Sequence, residues 1–456
     1  MEDAHMNDQT RRDFVRTTAT TAAGASLLGA PALAASGLSA NDRIRAAVVG
    51  LRGRGRSHLV AVENLASKNV ELAAVSDIDE SVIAERVGDY TKRTGTKPVV
   101  YHDIRKLLDD QSIDVVFFAT PNHWHSLGTI WACQAGKDVY VEKPLSHNAF
   151  EGKQAVRAAR RYGRIVQHGT QNRSSPEIIE GVQKLKEGLI GKVYLARGLA
   201  YKWRNTIGPH IEGPVPAGVH YDLWKGPGPD RPFSNLRLHN KWHWQWDYGN
   251  GELGNQGVHQ LDIMRWALDL DDHPSRVQSM GGMFVHDDAQ ETPNTQTITY
   301  EYEGRDLYLN FEIRPWISNI EAGIGKEWPT HGICTGLVFY GSDGYMVMPH
   351  YGAYYTYLGK NKKPGPFAED PTDKIKNQPH FDNFISAVRS RRVGDLNADV
   401  EEGHKSSVMA HLGNISYRTK RQVRFDSANE RIIDDPEADA LLTRQYRAPF
   451  VVSEDV

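Results

Sequence analysis

A chain of 456 residues exceeds what one hydrophobic core can organise, so two folded domains are expected beyond any targeting segment. Charged residues make up 24% and the formal net charge is -3, which excludes the electrostatic pull that nucleic-acid binding requires. Two cysteines, Cys133 and Cys334, lie far apart without CxxC or metal-ligand spacing, and no run of about 20 apolar residues occurs, so a disulfide scaffold, a cysteine-held zinc and a stable membrane span are excluded as well.

At the N-terminus, Arg11-Arg12-Asp13-Phe14-Val15 precedes a mildly apolar Ala/Thr/Gly/Leu segment, and Ala32-Leu33-Ala34 places small residues where a signal peptidase needs them. The order resembles a twin-arginine signal. It implies a periplasmic or otherwise exported protein that engages the twin-arginine export machinery and crosses folded, and it sets residues 1–40 apart from the fold.

From Arg43 the chain alternates apolar runs with helical patterns. Ile44 to Val49 is continuously apolar apart from Arg45, as a strand buried on both faces should be, and further strands are predicted at Val70 to Val75, Asp114 to Ala119, Asp138 to Val141 and Arg164 to Gln167. Residues 41–168 therefore form a doubly wound parallel sheet, the Rossmann type of α/β fold. Beyond Gly169 the strands lengthen and alternate, at Lys192 to Trp203, Arg276 to Phe284, Thr295 to Tyr302 and Leu307 to Ile313, which predicts a second α/β domain over 169–456. The Pro- and Gly-rich stretch from Ile207 to Arg237 predicts a long ordered loop over the site in place of a helix or strand. Two late helices, His380 to Arg391 and Val400 to Thr419, close the pattern and are free to pack back on the first domain.

The chemistry begins after the first strand. Gly50-Leu51-Arg52-Gly53-Arg54-Gly55 stands where a dinucleotide fold turns backbone N–H groups toward a pyrophosphate, although Arg52 occupies the central glycine position and Gly53 must share that role. Asp77 ends the next strand, where a carboxylate accepts hydrogen bonds from the adenosine ribose and opposes a 2′-phosphate. This favours NAD, while Arg52, Arg54 and Arg56 keep NADP open. The fourth strand runs into Thr120-Pro121-Asn122-His123-Trp124-His125 and the fifth into Glu142-Lys143-Pro144, both at the carboxyl ends where open α/β sheets bind ligands. Thr120, Asn122, His125, Glu142 and Lys143 are thus assigned to the cofactor, and Gln171 joins them after the sixth strand. His123 and His125 lack a third metal ligand, so no metal is expected.

These motifs, together with Gly254-Asn255-Gln256-Gly257-Val258-His259-Gln260-Leu261-Asp262, resemble the Gfo/Idh/MocA oxidoreductases over nearly the whole chain after the leader. The resemblance implies a C-terminal domain with a large, mostly antiparallel open sheet that pairs copies into a dimer or tetramer, and a sugar or polyol substrate. It places Lys143 beside the nicotinamide, with a cis bond to Pro144, as a proton relay whose pKa burial lowers. His259 becomes the catalytic histidine, which takes the proton of the hydroxyl being oxidised. Asn255, where such enzymes often carry Asp, cannot transfer protons and is assigned with Asp262 to substrate binding, on one helical face with His259. Asn172, Arg173, Tyr201, Trp203 and Trp246 are further substrate candidates, the tryptophans as stacking platforms. The implied activity is hydride transfer between a secondary hydroxyl of a sugar, glycoside or cyclitol and a tightly bound nicotinamide. The alternatives are an NAD-dependent glycosidase working through transient oxidation and elimination, and a non-catalytic sugar-binding protein.

Overall fold

The structure is a computed structural model that describes residues 42–202, 204–315, 335–370 and 377–456. The expected export signal, Trp203 and Cys334 lie outside the described residues.

Six short strands make the first sheet: β1 (Ile44–Val49), β2 (Val70–Ser76), β3 (Val99–Tyr101), β4 (Val115–Phe118), β5 (Asp138–Val141) and β6 (Val166–His168). All pair in parallel in the order β3-β2-β1-β4-β5-β6, the dinucleotide-binding arrangement. The central strands are buried on both faces, which is why they read as unbroken apolar runs. Helices α1 (Arg54–Asn64), α2 (Glu80–Thr94), α3 (Ile104–Leu108), α4 (Asn122–Gln134) and α5 (Ala149–Arg161) make the connections. After α6 (Pro176–Lys186), strand β7 (Val193–Tyr201) enters a ten-stranded sheet.

The second sheet continues with β8 (Arg276–Gly282), β9 (Thr295–Glu301), β10 (Tyr308–Arg314), β11 (Leu337–Gly341), β12 (Gly344–Met348), β13 (Ala353–Leu358), β14 (Lys363–Glu369), β15 (Val423–Asp426) and β16 (Arg431–Ile433). Among the described residues, only the β7–β10 pair of this sheet is parallel. Its alternation is real: Ile298, Tyr300, Leu309, Phe311 and Ile313 are buried, while Met280 is 71% and Phe367 64% exposed. The inner face packs on α8 (Val258–Ala267) and the long α10 (Val400–Thr419). Helix α9 (Gln378–Ser390) instead joins the first domain, where Phe381 stacks on Tyr140 at 4.6 Å and Phe384 meets Phe117 edge-on. Among the described residues, no helix is long and apolar enough to cross a membrane.

Two local expectations need correction. The segment from Ile207 to Arg237 is mostly extended loop, but it contains the one-turn helix α7 (Tyr221–Lys225) and an isolated bridge between Glu212 and Ser234. Burial of Tyr221 and Trp224 against Trp242 and Tyr248 supplies the core that such a long loop otherwise lacks. The helix carrying His259 does not run unbroken through Asn255 either. A π-helical turn, Leu253–Gly257, precedes α8 and shifts Asn255 relative to His259.

Candidate active site

A cavity of about 640 Å³ opens at the carboxyl ends of β1, β2, β4 and β5. Its first end is built by the glycine turn. Gly50 has φ 81°, and a Cβ there would lie 2.7 Å from the Ala119 carbonyl oxygen; one on Gly55 would lie 1.8 Å from Gly50 O. Gly50 therefore keeps the wall open, while Gly55 lets α1 start against the turn and is itself off the wall. Helix α1 begins after Gly53, φ 51°, with no side-chain cap and no acidic residue in its first turn, an end that suits an anion.

Asp77 lines the same end. Its carboxylate accepts from Leu51 N at 2.6 Å and Asp79 N at 3.1 Å, so its orientation is fixed while lone pairs remain for a ribose. Burial raises its pKa, opposed by these backbone bonds. Arg54 is not available to a phosphate. It donates through Nε to Glu142 at 2.7 Å and through Nη2 to Asn377 at 3.1 Å. Arg52 is exposed at the cavity wall and is the cation of the turn that remains. The open glycine cradle, the uncapped helix and the fixed Asp77 together suit a dinucleotide.

The second end carries the reactive groups. Glu142 also receives His58 Nε2 at 2.9 Å and Gln171 Nε2 at 3.0 Å. Burial opposes its ionisation, but Arg54 and His58 outweigh that and hold it well below the usual carboxylate range. The next residue, Lys143, is joined to Pro144 by a cis bond. Burial pulls the Lys143 ammonium down to about 8, with Glu142 opposing and Lys202 and Arg54 adding to the shift. Its Nζ donates to the backbone carbonyl of Asn255 and to Asn255 Oδ1 at 3.2 Å. The π turn thus presents Asn255 to the lysine through two oxygens.

His259 lines the cavity beside this pair, its ring 5.5 Å from that of Tyr351. Burial and then Lys143 push its pKa well below the ordinary value, so the ring is neutral. His125 spans Thr120 O at 2.7 Å and Pro144 O at 2.6 Å, which ties the ends of β4 and β5 together. Asn122 Nδ2 donates to Asn250 Oδ1 at 2.9 Å. Gly50, Arg52, Gly53, Arg54, Asp77, Thr120, Asn122, His125, Glu142, Lys143, Gln171, Asn255 and His259 all line this one cavity.

Five of the substrate candidates are placed elsewhere. Arg173 and Asp262 form a buried bidentate pair at 2.8 and 3.0 Å, extended by Glu402 and by Ser406 Oγ at 2.8 Å, which spends both charges on each other and their neighbours. Asn172 is buried off the wall. The Tyr201 hydroxyl donates to Glu312 at 2.6 Å beneath the Arg314 guanidinium. Trp246 borders a separate cavity of about 380 Å³, with Arg418 over its ring at 5.1 Å. His123 Nε2 donates to Trp224 O, 2.8 Å away.

Several site residues escaped sequence reading. His58 stands one helical turn after Arg54, a spacing that puts both on one face of α1 and was the available signal. His243 lies among Trp242, Trp244 and Trp246, whose aromatic signal masks it in the sequence; Lys241–Trp244 form a 3-10 turn. Asn377 and Tyr351 carry no local signal.

The description "oxidoreductase family, NAD-binding Rossmann fold" fits residues 44–170, and that of the family's C-terminal alpha/beta domain fits 179–326 and 368–452. The chain belongs to the Gfo/Idh/MocA family of NAD-binding oxidoreductases. A glycosyl hydrolase family 109 protein of Shewanella sp. (strain ANA-3) is 35% identical over 124 residues, 26% of this chain and 27% of that protein. Levoglucosan dehydrogenase of Pseudarthrobacter phenanthrenivorans is 28% identical over 167 residues, 36% of each. The chain therefore matches only about a quarter to a third of the length of these curated relatives. Two solved structures share the fold: levoglucosan dehydrogenase with NADH and levoglucosan (TM-score 0.63, 16% identity, 84% of this chain and 99% of that one) and the WlbA dehydrogenase from Bordetella pertussis with NADH and UDP-GlcNAcA (TM-score 0.61, 17% identity, 84% and 99%).

Proposed function

We propose that this protein oxidises a secondary hydroxyl of a sugar, glycoside or cyclitol and keeps its NAD tightly bound. The observation that carries the reading is Lys143, a buried lysine at about 8 that shares one cavity with His259 and with the nucleotide-binding Asp77. When bound, NAD supplies the hydride acceptor. Lys143 Nζ, as the free amine, takes the proton of the hydroxyl, and the Asn255 oxygens hold it in place. The neutral His259 ring orients that hydroxyl. Asp77 holds the ribose, and its carboxylate, which opposes a 2′-phosphate, favours NAD over NADP.

A tightly held cofactor fits an exported protein, as the twin-arginine-like leader suggests, since free NAD is scarce outside the cytoplasm. The covering segment from Ile207 to Lys241 supports retention: Trp224, His239 and Lys241 from it line the cavity. The similarity to family 109 glycosyl hydrolases supports a second reading, in which a glycoside is oxidised, loses its aglycone by elimination, takes up water and is reduced again by the same hydride. One experiment separates them. The purified chain is heated to release and identify its nicotinamide, then incubated with sugars and glycosides while reduced nicotinamide and free aglycone are followed. The oxidoreductase reading expects net accumulation of reduced cofactor or coupled reduction of a second sugar; aglycone release with no net redox change would favour the second reading. Protein that neither holds nor uses NAD would overturn both.

A further inference from the structure

His243 has no part in the reading above. It lies on the 3-10 turn Lys241–Trp244, where the long covering segment ends, and its ring lines the cavity. That segment runs the length of the cavity. At the nucleotide end His239 meets Asp79 at 3.2 Å, close to Arg52. The His243 carbonyl packs against Gly249, and the next residue, Trp244, lies under Arg204, which pairs with Glu252 immediately before the π turn that carries Asn255; these contacts place His243 at the catalytic end.

The ring is fixed in two ways. Nδ1 lies 2.5 Å from the Asn240 carbonyl oxygen, and because a carbonyl only accepts, Nδ1 carries the hydrogen and donates it. One face stacks on the Trp242 indole with centroids 3.6 Å and planes 20° apart. These contacts set the tautomer and the plane, leaving Nε2 as the bare acceptor. Among the described residues Nε2 has no hydrogen-bond partner, and it is not sealed from solvent. Burial, opposed by the Asn240 bond and reinforced by Lys143 and Arg204, brings the ring to about 3. It therefore stays neutral at working pH and accepts hydrogen bonds without carrying protons. His259 differs in that its Nδ1 is buried without a partner, so nothing fixes its tautomer in the same way.

We propose that His243 is a specificity residue whose Nε2 accepts a hydrogen bond from the sugar hydroxyl adjacent to the one oxidised at Lys143, so that the enzyme requires a vicinal diol. The inference rests on the sugar-oxidising reading. It follows from the approach of Lys143 and His243 to one end of the cavity from two different elements, β5 and the covering segment. Adjacent ring hydroxyls are the closest pair of oxygens that two such groups can hold separately.

The test uses the full chain loaded with NAD and a panel of methyl glucosides, methyl galactosides, methyl N-acetylgalactosaminides and myo-inositol, each with its monodeoxy counterparts. The best parent compound should lose about 10- to 100-fold in kcat/KM, mostly through KM, in His243→Phe, the scale of one hydroxyl contact left unmade. The analogue lacking the adjacent hydroxyl should lose little further. NAD affinity and the pH profile should not move, and His243→Gln, whose amide oxygen can occupy the Nε2 position, should recover most of the activity. Equal losses on the parent and all deoxy analogues, or a loss of NAD affinity, would make His243 a support of the covering segment and overturn the inference. Should His243→Phe fail to fold, the wild-type chain decides: it must reject one monodeoxy analogue by the same factor, and failure to discriminate counts against the proposal. If no compound of the panel reduces the cofactor, the sugar-oxidising reading itself falls and takes the inference with it.

Discussion

At Lys143, burial and the charges around it decide what one side chain can do. Above about pH 8 its amine is free to take the substrate proton; below, the ammonium dominates. Oxidation should therefore quicken as pH rises through about 8 and level off above it, and the reverse reduction should show the opposite limb; a flat rate–pH profile in single-turnover oxidation would remove Lys143 from the proton path. Lys143→Met should abolish turnover while NAD still binds, as read by calorimetric titration. Asp77→Ala should weaken NAD binding by about 10-fold or more through loss of its ribose contacts and should narrow the preference against NADP. Equal affinity in mutant and parent would place the ribose elsewhere. Lys143, His259 and Asp77 were legible because each closes a strand or opens a helix within a short motif. His58 was not, since its meaning lies in a bond to Glu142 across 84 positions, and His243 was hidden by the tryptophans that flank it.

Among elements, the π turn Leu253–Gly257 has the largest consequence for the site. Regular helical spacing from the sequence puts Asn255, His259 and Asp262 on one face, but the inserted turn offers Asn255 to Lys143 while Asp262 is buried with Arg173. Periodicity cannot signal a wide turn of this kind, because its cause is tertiary: Gly257 packs against Leu253 and Phe311, where a Cβ would lie within 2.9 Å of Leu253 Cδ1. The Arg173–Asp262 pair joins the segment after β6 to α8 and, through Glu402, to α10. Asp262→Ala leaves an arginine buried without its main carboxylate, and should lower stability by about 3–5 kcal/mol in urea unfolding while NAD affinity is retained. A variant of unchanged stability but raised substrate KM would return Asp262 to the substrate site.

The whole molecule joins a sheet buried on both faces to one whose second face, among the described residues, is buried around Leu199, Tyr201, Val338 and Val347 and exposed toward its edges. Both were legible from strand character, continuous apolar runs in the first and alternation in the second. The return of α9 to the first domain was not, because Phe381 and Phe384 look like any amphipathic face until Phe117 and Tyr140 are brought beneath them. The outer face of the second sheet carries exposed Met280, Tyr308 and Phe367. Large apolar side chains exposed on one sheet face predict association of copies through this face. Light scattering should report a dimer or tetramer, and Met280→Asp with Tyr308→Asp should shift it to monomer; a monomeric parent would refute the assignment.

The central claim is that hydride passes between a sugar carbon and a nicotinamide held in the cavity of Lys143 and His259. Its most direct test is a single turnover with a sugar deuterated at the carbon that is oxidised, followed by mass analysis of the nicotinamide released from the protein. The account predicts deuterium in the reduced cofactor from the wild-type chain and none from Lys143→Met. Oxidised sugar formed while the cofactor stays unlabelled would contradict it.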